Sequence, residues 1–300
     1  MSEGRLTRLA SEAGITAWVH ATRLGGPPAS TSAGADVPVA VASLYKLPLA
    51  LVWADLVEAG ALDPHSRLVL RAEQRAAGPT GVAMLWDDVA LSQRDAVRLM
   101  LAVSDNTCAD EILRIVGLRA ANAALAADGL EQTHIRHGSA ETLRIVQAET
   151  GAPDPAAAER ALATVDEERL TSQFEPALAS SSTARELCRV LALLWGRTGR
   201  AHEAVRGAMA HQAWRHRIAS AFPHDDVLVQ GKTGTLARLR HEAAVVTFPG
   251  EFPIAVAVLT RSARAERHLP RVDAAIGAIA RAAAGPLRMS RDDAPDASAS

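Results

Sequence analysis

The chain has 300 residues, enough for one large domain or two interleaved ones with a sizeable core, so it needs no disulfide or metal staple to fold. Apolar residues make up 48% and charged residues 22%, ordinary globular values that exclude a disordered, collagenous or coiled-coil chain. Lys plus Arg total 32 against 34 acids, a net charge of -2, so no global positive field exists to hold a nucleic acid, and no apolar run reaches the roughly 18 residues of a membrane span.

Residues 5–13 are amphipathic and read as a short helix ended by Gly14. No apolar signal core precedes them, so the expected location is the cytoplasm. Cys108 and Cys188 fall in no metal spacing and no C-x-x-C, and are expected to be reduced, buried hydrophobes. Ile15–Val19 with residues 20–23 reads as a strand entering the Gly25-Gly26-Pro27-Pro28 turn, and 29–35 as loop. Ser43–Ala59 is a helix apolar enough to be buried on most sides, with Pro48 expected to cost a hydrogen bond or a slight kink. Helices are also expected at 92–102, 106–116, 118–127 and 183–195, the last opened by the capping box Thr183-Ala-Arg-Glu186. The stretch 145–180 is rich in Ala, Glu and Pro with weak periodicity. Val227–Val229, Ala243–Phe248 and Ile254–Leu259 are β-type runs, with turns expected at Gly231, Gly234 and Pro249-Gly250. A helix at Val272–Ala284 closes the fold, and 285–300 reads as a disordered tail.

The implied class is α+β: an antiparallel sheet flanked by helices, into which an all-helical subdomain is inserted. The sheet subdomain takes residues 1–42 and 185–284, the helical one 43–184.

Of the 32 basic residues 30 are Arg, leaving Lys46 and Lys232 alone. Arginine cannot shed its proton in a protein, whereas lysine can. Both lysines stand in short motifs: Ser43-Leu-Tyr-Lys46, which holds the chain's one tyrosine, and Lys232-Thr-Gly-Thr235. At i and i+3 on a helix, Ser43 and Lys46 share a face. A serine hydroxyl needs a neighbouring base to become a nucleophile, and burial or a second cation such as Lys232 makes a lysine amine that base. A third motif, Ser104-Asp105-Asn106, opens a helix. Taken singly each motif also has a plain reading: a helix cap, an acid favoured by the helix dipole, a glycine turn at a strand end.

Together and in this order they resemble the class A β-lactamase and penicillin-binding protein superfamily of serine acyl-enzymes, whose signature is S-x-x-K, S-D-N and K-T-G. The resemblance runs from about Ile15 to about Ala284. It implies a five-stranded antiparallel sheet with flanking helices, an all-helical subdomain and an active site in the groove between them. It makes Ser43 the nucleophile and Lys46 its base, with Ser104 shuttling the proton helped by Lys232. Asn106, Thr233, Gly234 and Thr235 would face the substrate, and the backbone N–H groups of Ser43 and Thr235 would form an oxyanion hole. Arg238 and Arg240, after the K-T-G strand, are candidates to hold a substrate carboxylate.

The chain departs from class A enzymes where a glutamate in an E-x-x-x-N pattern activates water for deacylation. Near the family's offset beyond Ser104 it has Ser139, with Leu143 in place of the asparagine. Glu141, close by spacing, and Glu175, with Ala179 in place of Asn, are the candidate bases in an extended Ω-like segment 139–180. The expected function is a β-lactamase-like serine hydrolase or acyltransferase acting on a small amide, ester or lactam. A true β-lactamase is the second reading and a non-turnover penicillin-binding sensor the third. No cofactor is implied, and His134 and His137 (H-x-x-H) lack a third ligand for a metal. The expected partner is a small-molecule substrate, met by a monomer. Trp86 and Trp214 are expected to pack in the core rather than line the groove.

Overall fold

The computed structural model describes residues 3–163, 170–265 and 269–293. In chain order the elements are α1 (Glu3–Glu12), β1 (Ile15–Arg23), β2 (Ser30–Ala33), β3 (Val39–Ala40), α2 (Lys46–Glu58), β4 (Arg67–Leu70) and β5 (Val89–Ser92). Next come α3 (Gln93–Ala102), α4 (Asn106–Val116), α5 (Leu118–Ala127), α6 (Ser139–Thr150), α7 (Pro155–Leu162) and β6 (Ser181–Ser182). The chain continues through α8 (Ala184–Gly196), α9 (Arg200–Ala210), β7 (Leu228–Leu236), β8 (Leu239–Thr247), β9 (Ile254–Ser262) and α10 (Pro270–Ala284).

The main sheet has five antiparallel strands in the order β2-β1-β9-β8-β7, so the N-terminal strand completes the C-terminal meander, as the sequence led us to expect. Side chains on a strand alternate between faces, and here both faces are covered. Ala243, Val245, Ala255, Ala257 and Leu259 pack against the helical side, around α2 and α8. Ala244, Val246, Ile254, Val256 and Val258 pack on the other side against α1 and α10. This double burial is why these strands read as continuous apolar runs. At the centre of the helical side lies α2, whose Leu47, Leu49, Leu51 and Trp53 are fully buried. Pro48 falls in its first turn, where no N–H is needed, so it costs no helical hydrogen bond.

Several expectations change. Residues 30–33, read as loop, form the edge strand β2 by pairing with Val19–Thr22. Gly231 and Gly234 do not turn the chain; both lie inside β7. Thr183 caps α8 through its hydroxyl, but Glu186 turns to the N–H of Gln132 and the hydroxyl of Thr133 instead of closing the box. Trp86 is 92% exposed rather than packed, and Trp214 is half-buried. Within 145–180 the chain forms the rest of α6 and α7, while residues 164–169 lie outside those described. The expected tail does not begin at 285: Arg288 pairs with Glu251 and lies over Phe248, and Ser290 bridges Glu251. Residues 294–300 lie outside the described residues. Among the described residues no helix is long and apolar enough to cross a membrane.

A buried ionic cluster ties α10 to the end of the sheet. Asp273 receives Arg217 Nε at 2.8 Å and Arg240 Nη2 at 2.5 Å, all three residues being buried. Burial opposes the charge on Asp273, but the bonds and charges of Arg240 and Arg217 outweigh it and hold the carboxyl below its ordinary range. That contribution to stability is complete at neutral pH and fades as pH falls below about 4. Asp273→Ala removes the buried counter-charge that two guanidiniums share and is expected to cost about 3–5 kcal/mol in urea unfolding at pH 7. Asp36→Ala, which breaks an exposed pair with Arg185, is expected to cost less than about 1 kcal/mol.

Candidate active site

Three segments meet where the sheet edge faces the helical side. The first is the 3₁₀ turn Ala42–Tyr45 running into α2, which carries Ser43 and Lys46 one turn apart. The second is the turn ahead of α4, with Ser104, Asp105 and Asn106. The third is β7, with Lys232–Thr235.

The close approach of β7 to the 3₁₀ turn explains the glycine of the third motif. A Cβ on Gly234 would lie 2.5 Å from the carbonyl oxygen of Val41 and 3.1 Å from the amide nitrogen of Leu44, so only glycine lets the strand dock. His241, opposite Gly234 on β8, accepts the N–H of Thr260 on Nδ1 and therefore donates from Nε2 to the carbonyl of Ala40. Burial drives its pKa down to about 3, which keeps the ring neutral and the bond directional. Two residues of the site adopt left-handed backbone without being glycine: Ala42, just before Ser43, with φ 47°, and Ser104 with φ 58°. Such conformations cost ~1–3 kcal/mol each and persist only where the surroundings impose them.

The left-handed turn at Ser104 presents both its carbonyl and its hydroxyl to the lysines. Lys46 Nζ donates to the Ser104 carbonyl at 2.7 Å and to Asn106 Oδ1 at 2.8 Å, with longer contacts to Ser104 Oγ at 3.3 Å and the Asp105 carbonyl at 3.4 Å. Lys232 Nζ donates to Ser104 Oγ at 3.0 Å and to the Thr233 carbonyl at 2.7 Å. Both lysines are completely buried. Burial lowers the Lys46 pKa to about 8, against the opposing charges of Asp110 and Asp105. Lys232 is pushed well below its usual value by burial first, then by the charges of Lys46 and Arg217. Behind it, buried Glu242 accepts the N–H of Ile218 at 2.7 Å, and desolvation raises its pKa to about 7. Ser43 is half-buried, and its hydroxyl has no hydrogen-bond partner among the described residues.

Asn106 is held between Lys46 and the carbonyl of Ala77, to which its Nδ2 donates at 2.8 Å. Asp105 takes the amide protons of Cys108 and Val82, tying α4 to the loop beside it. Thr235 is exposed on the strand, and its hydroxyl accepts Arg217 Nη2 at 2.7 Å. Arg217, which the motifs did not reveal, thus supplies the guanidinium that reaches the site. Its Nη1 also donates to the carbonyls of Gly234 and His241. Arg240 is instead turned inward onto Asp273, and Arg238 bonds the carbonyl of Ala263 on the hairpin. Nothing in the run Trp214-Arg-His-Arg217 marks the last arginine, because its partners are on β7 and β8, far along the chain.

Neither candidate deacylation base is among the hydrogen-bond partners of the two lysines in the described residues. Glu141 is exposed and paired with Arg144 on the first turns of α6. Glu175 is exposed, and its carboxylate accepts the N–H of Ala177 in its own turn. Ser139, near the offset where the class A pattern expects glutamate, is buried and bonds the Tyr45 hydroxyl at 2.9 Å. His137 bonds the Thr142 hydroxyl through Nδ1, and His134 pairs its backbone with Ser181.

Comparison with known proteins shows the family and the fold. The chain is 31% identical over 265 residues to the beta-lactamase regulatory protein BlaB of Streptomyces cacaoi, covering 82% of this chain and 85% of that protein. The fold is similar to the beta-lactamase from Sphaerobacter thermophilus, with TM-score 0.74, 22% identity and coverage of 96% of this chain and 98% of that one. A variant of PBP-A, solved as an acyl-enzyme complex with penicillin G, matches with TM-score 0.71 and 19% identity over 93% of each chain. The family model for the beta-lactamase enzyme family spans residues 2–285, and it is to this family that the chain belongs.

Proposed function

We propose that the chain is a serine hydrolase that works through an acyl-enzyme on Ser43. The observation that carries this reading is the meeting of two buried amines, Lys46 and Lys232, at the hydroxyl of Ser104. In the reaction, neutral Lys46 takes the Ser43 proton as Oγ bonds to the substrate carbonyl carbon. The N–H groups of Ser43 and Thr235 hold the oxyanion. As the carbonyl carbon loses its bond to nitrogen or oxygen, the proton passes by way of Ser104, beside Lys232, to the leaving group. Asn106 and the Thr233–Thr235 strand orient the substrate, and Arg217 with Thr235 favours one that bears a carboxylate. The substrate class is a small amide, ester or lactam.

The second half of the reaction separates the readings. Among the described residues the carboxylates whose charges act on Lys46 are Asp110 and Asp105, and Ser139 bonds Tyr45 near the offset where the class A pattern expects a base. A β-lactam is therefore expected to acylate Ser43 faster than it leaves, whereas a simple ester, whose alcohol diffuses away and leaves room for water beside Lys46, turns over. The regulatory name of BlaB favours a second reading, in which the persistent acyl-enzyme is itself the signal.

With a p-nitrophenyl ester, Ser43→Ala is expected to lower kcat/KM by at least ~10³-fold with the fold intact by circular dichroism. Unchanged hydrolysis would exclude an acyl-enzyme on Ser43. For a chromogenic cephalosporin, Ser139→Glu is expected to raise steady-state turnover by on the order of 10²-fold by supplying a base for water. No gain, in a variant still labelled by the drug, would mean that the missing carboxylate is not what slows deacylation.

A further inference from the structure

Beside the first turn of α5 lies a recess of about 410 Å³, lined by Leu118, Arg119, Asn122, His134, Ile135 and Arg136. None of these residues belongs to the three segments that form the lysine site. The walls are held by their own hydrogen bonds. Asn122 Nδ2 donates to the carbonyls of Leu118 at 2.9 Å and Ile135 at 2.8 Å, and Asn122 Oδ1 accepts the N–H of Ile135 at 2.9 Å. His134 exchanges both backbone bonds with Ser181, at 2.8 and 2.9 Å, and the N–H of Arg136 donates to the Ser180 hydroxyl at 3.0 Å. Residues 134–136 are thus fixed to α5 on one side and to β6 on the other, so the recess is formed before any ligand arrives.

The walls leave their positive charge unspent. Among the described residues, the guanidiniums of Arg119 and Arg136 and the ring of His134 have no hydrogen-bond or ion-pair partner. No carboxylate lines the recess. Glu186, the acid that reaches the preceding residues, is committed to the N–H of Gln132 and the hydroxyl of Thr133. Other arginines of the helical subdomain are neutralised nearby: Arg71 pairs with Asp88, Arg114 with Glu111 and Arg144 with Glu141. A concavity lined by one sign of charge concentrates counter-ions of the other. The guanidinium fork matches the oxygens of a phosphate or carboxylate, and two guanidiniums with one imidazole suit an anion, not a metal. The volume falls in the range of small-molecule sites, and Leu118, 40% exposed, offers an apolar wall.

We propose that this recess is a second binding site, for a small phosphate monoester. The dianionic head is held by the forks of Arg119 and Arg136 with His134 as a further donor, and the organic group lies on Leu118. A monocarboxylate carries charge enough to neutralise only one of the two guanidiniums, which makes phosphate the better head. The site stands apart from the reading of Ser43 and does not depend on it.

The probe is phenyl phosphate, titrated into the full chain at low salt by isothermal calorimetry, with benzoate as the carboxylate of matching body. One saturable site is expected, at least about tenfold tighter for phenyl phosphate than for benzoate. Arg119→Ala and Arg136→Ala change exposed residues, so the fold is expected to survive. Each is expected to weaken binding about tenfold, and the double variant to abolish it. In ¹⁵N-resolved NMR spectra the amides of 118–122 and 134–136 are expected to shift, and those of Thr233–Thr235 to stay in place. Absence of saturable binding, preference for benzoate, undiminished binding in the double variant, or shifts confined to Thr233–Thr235 would each overturn the assignment. Ester hydrolysis is scored separately, so loss of the acyl-enzyme reading and loss of this site are told apart.

Discussion

The site depends on two ammonium groups being forced onto one hydroxyl. Lys46 and Lys232 each donate to Ser104 Oγ, so their nitrogens are no more than about 6 Å apart. At an effective dielectric near 20, two unit charges at that separation repel by roughly 3 kcal/mol. Burial is the larger effect on both amines and acts in the same direction, while the charges of Asp110 and Asp105 on Lys46 and of Glu242 on Lys232 only partly offset it. The physical result is a lysine that can be neutral near physiological pH, which is what a serine nucleophile requires of its neighbour.

That arrangement needs the whole fold. The apolar length of α2 sinks Lys46 into the core side, while Gly234 lets β7 come close enough to bring Lys232 in from the sheet. The left-handed backbone at Ser104 then aims its carbonyl at Lys46 and its hydroxyl at both amines. On the sheet side, the Asp273 cluster holds Arg217 so that its remaining nitrogens reach Gly234, His241 and Thr235. The pair Asp273–Arg217 thereby links stability of the α10 face to the shape of the substrate strand. Folding and site assembly are here the same set of contacts.

Much of this was legible in the sequence because it is written locally. Two lysines among thirty arginines, each in a short motif, pointed to the site, and doubly apolar strands pointed to a covered antiparallel sheet. What escaped depends on contacts between distant segments. Arg217 and Arg240 are alike as residues, and only the position of Asp273 on α10 decides which keeps a hand free for Thr235. Gly231 and Gly234 looked like turn residues, yet Gly234 is there for a backbone approach from the 3₁₀ turn, and a Cβ on Gly231 would meet Glu242 Oε1 at 2.7 Å. Asp110 reads as an ordinary helical acid until α6 folds back onto it. The edge strand β2 and the docked residues after α10 lack any apolar run of their own, because their partners supply the order.

The departure from class A enzymes lies on one flank only. On the proposed reading the serine, the two lysines and the Ser-Asp-Asn turn serve acylation, while the flank where the class A pattern expects a base for water holds a serine bonded to a tyrosine. A site so divided should bond to an acyl donor and release it slowly. The most direct measurement is intact-mass spectrometry followed by peptide mapping after incubation with a penicillin. One drug mass per chain, on the peptide that contains Ser43 and persisting for many minutes after removal of free drug, is the expected result. An unmodified mass with penicillins, esters and thioesters alike, or an adduct on any other residue, would contradict the account.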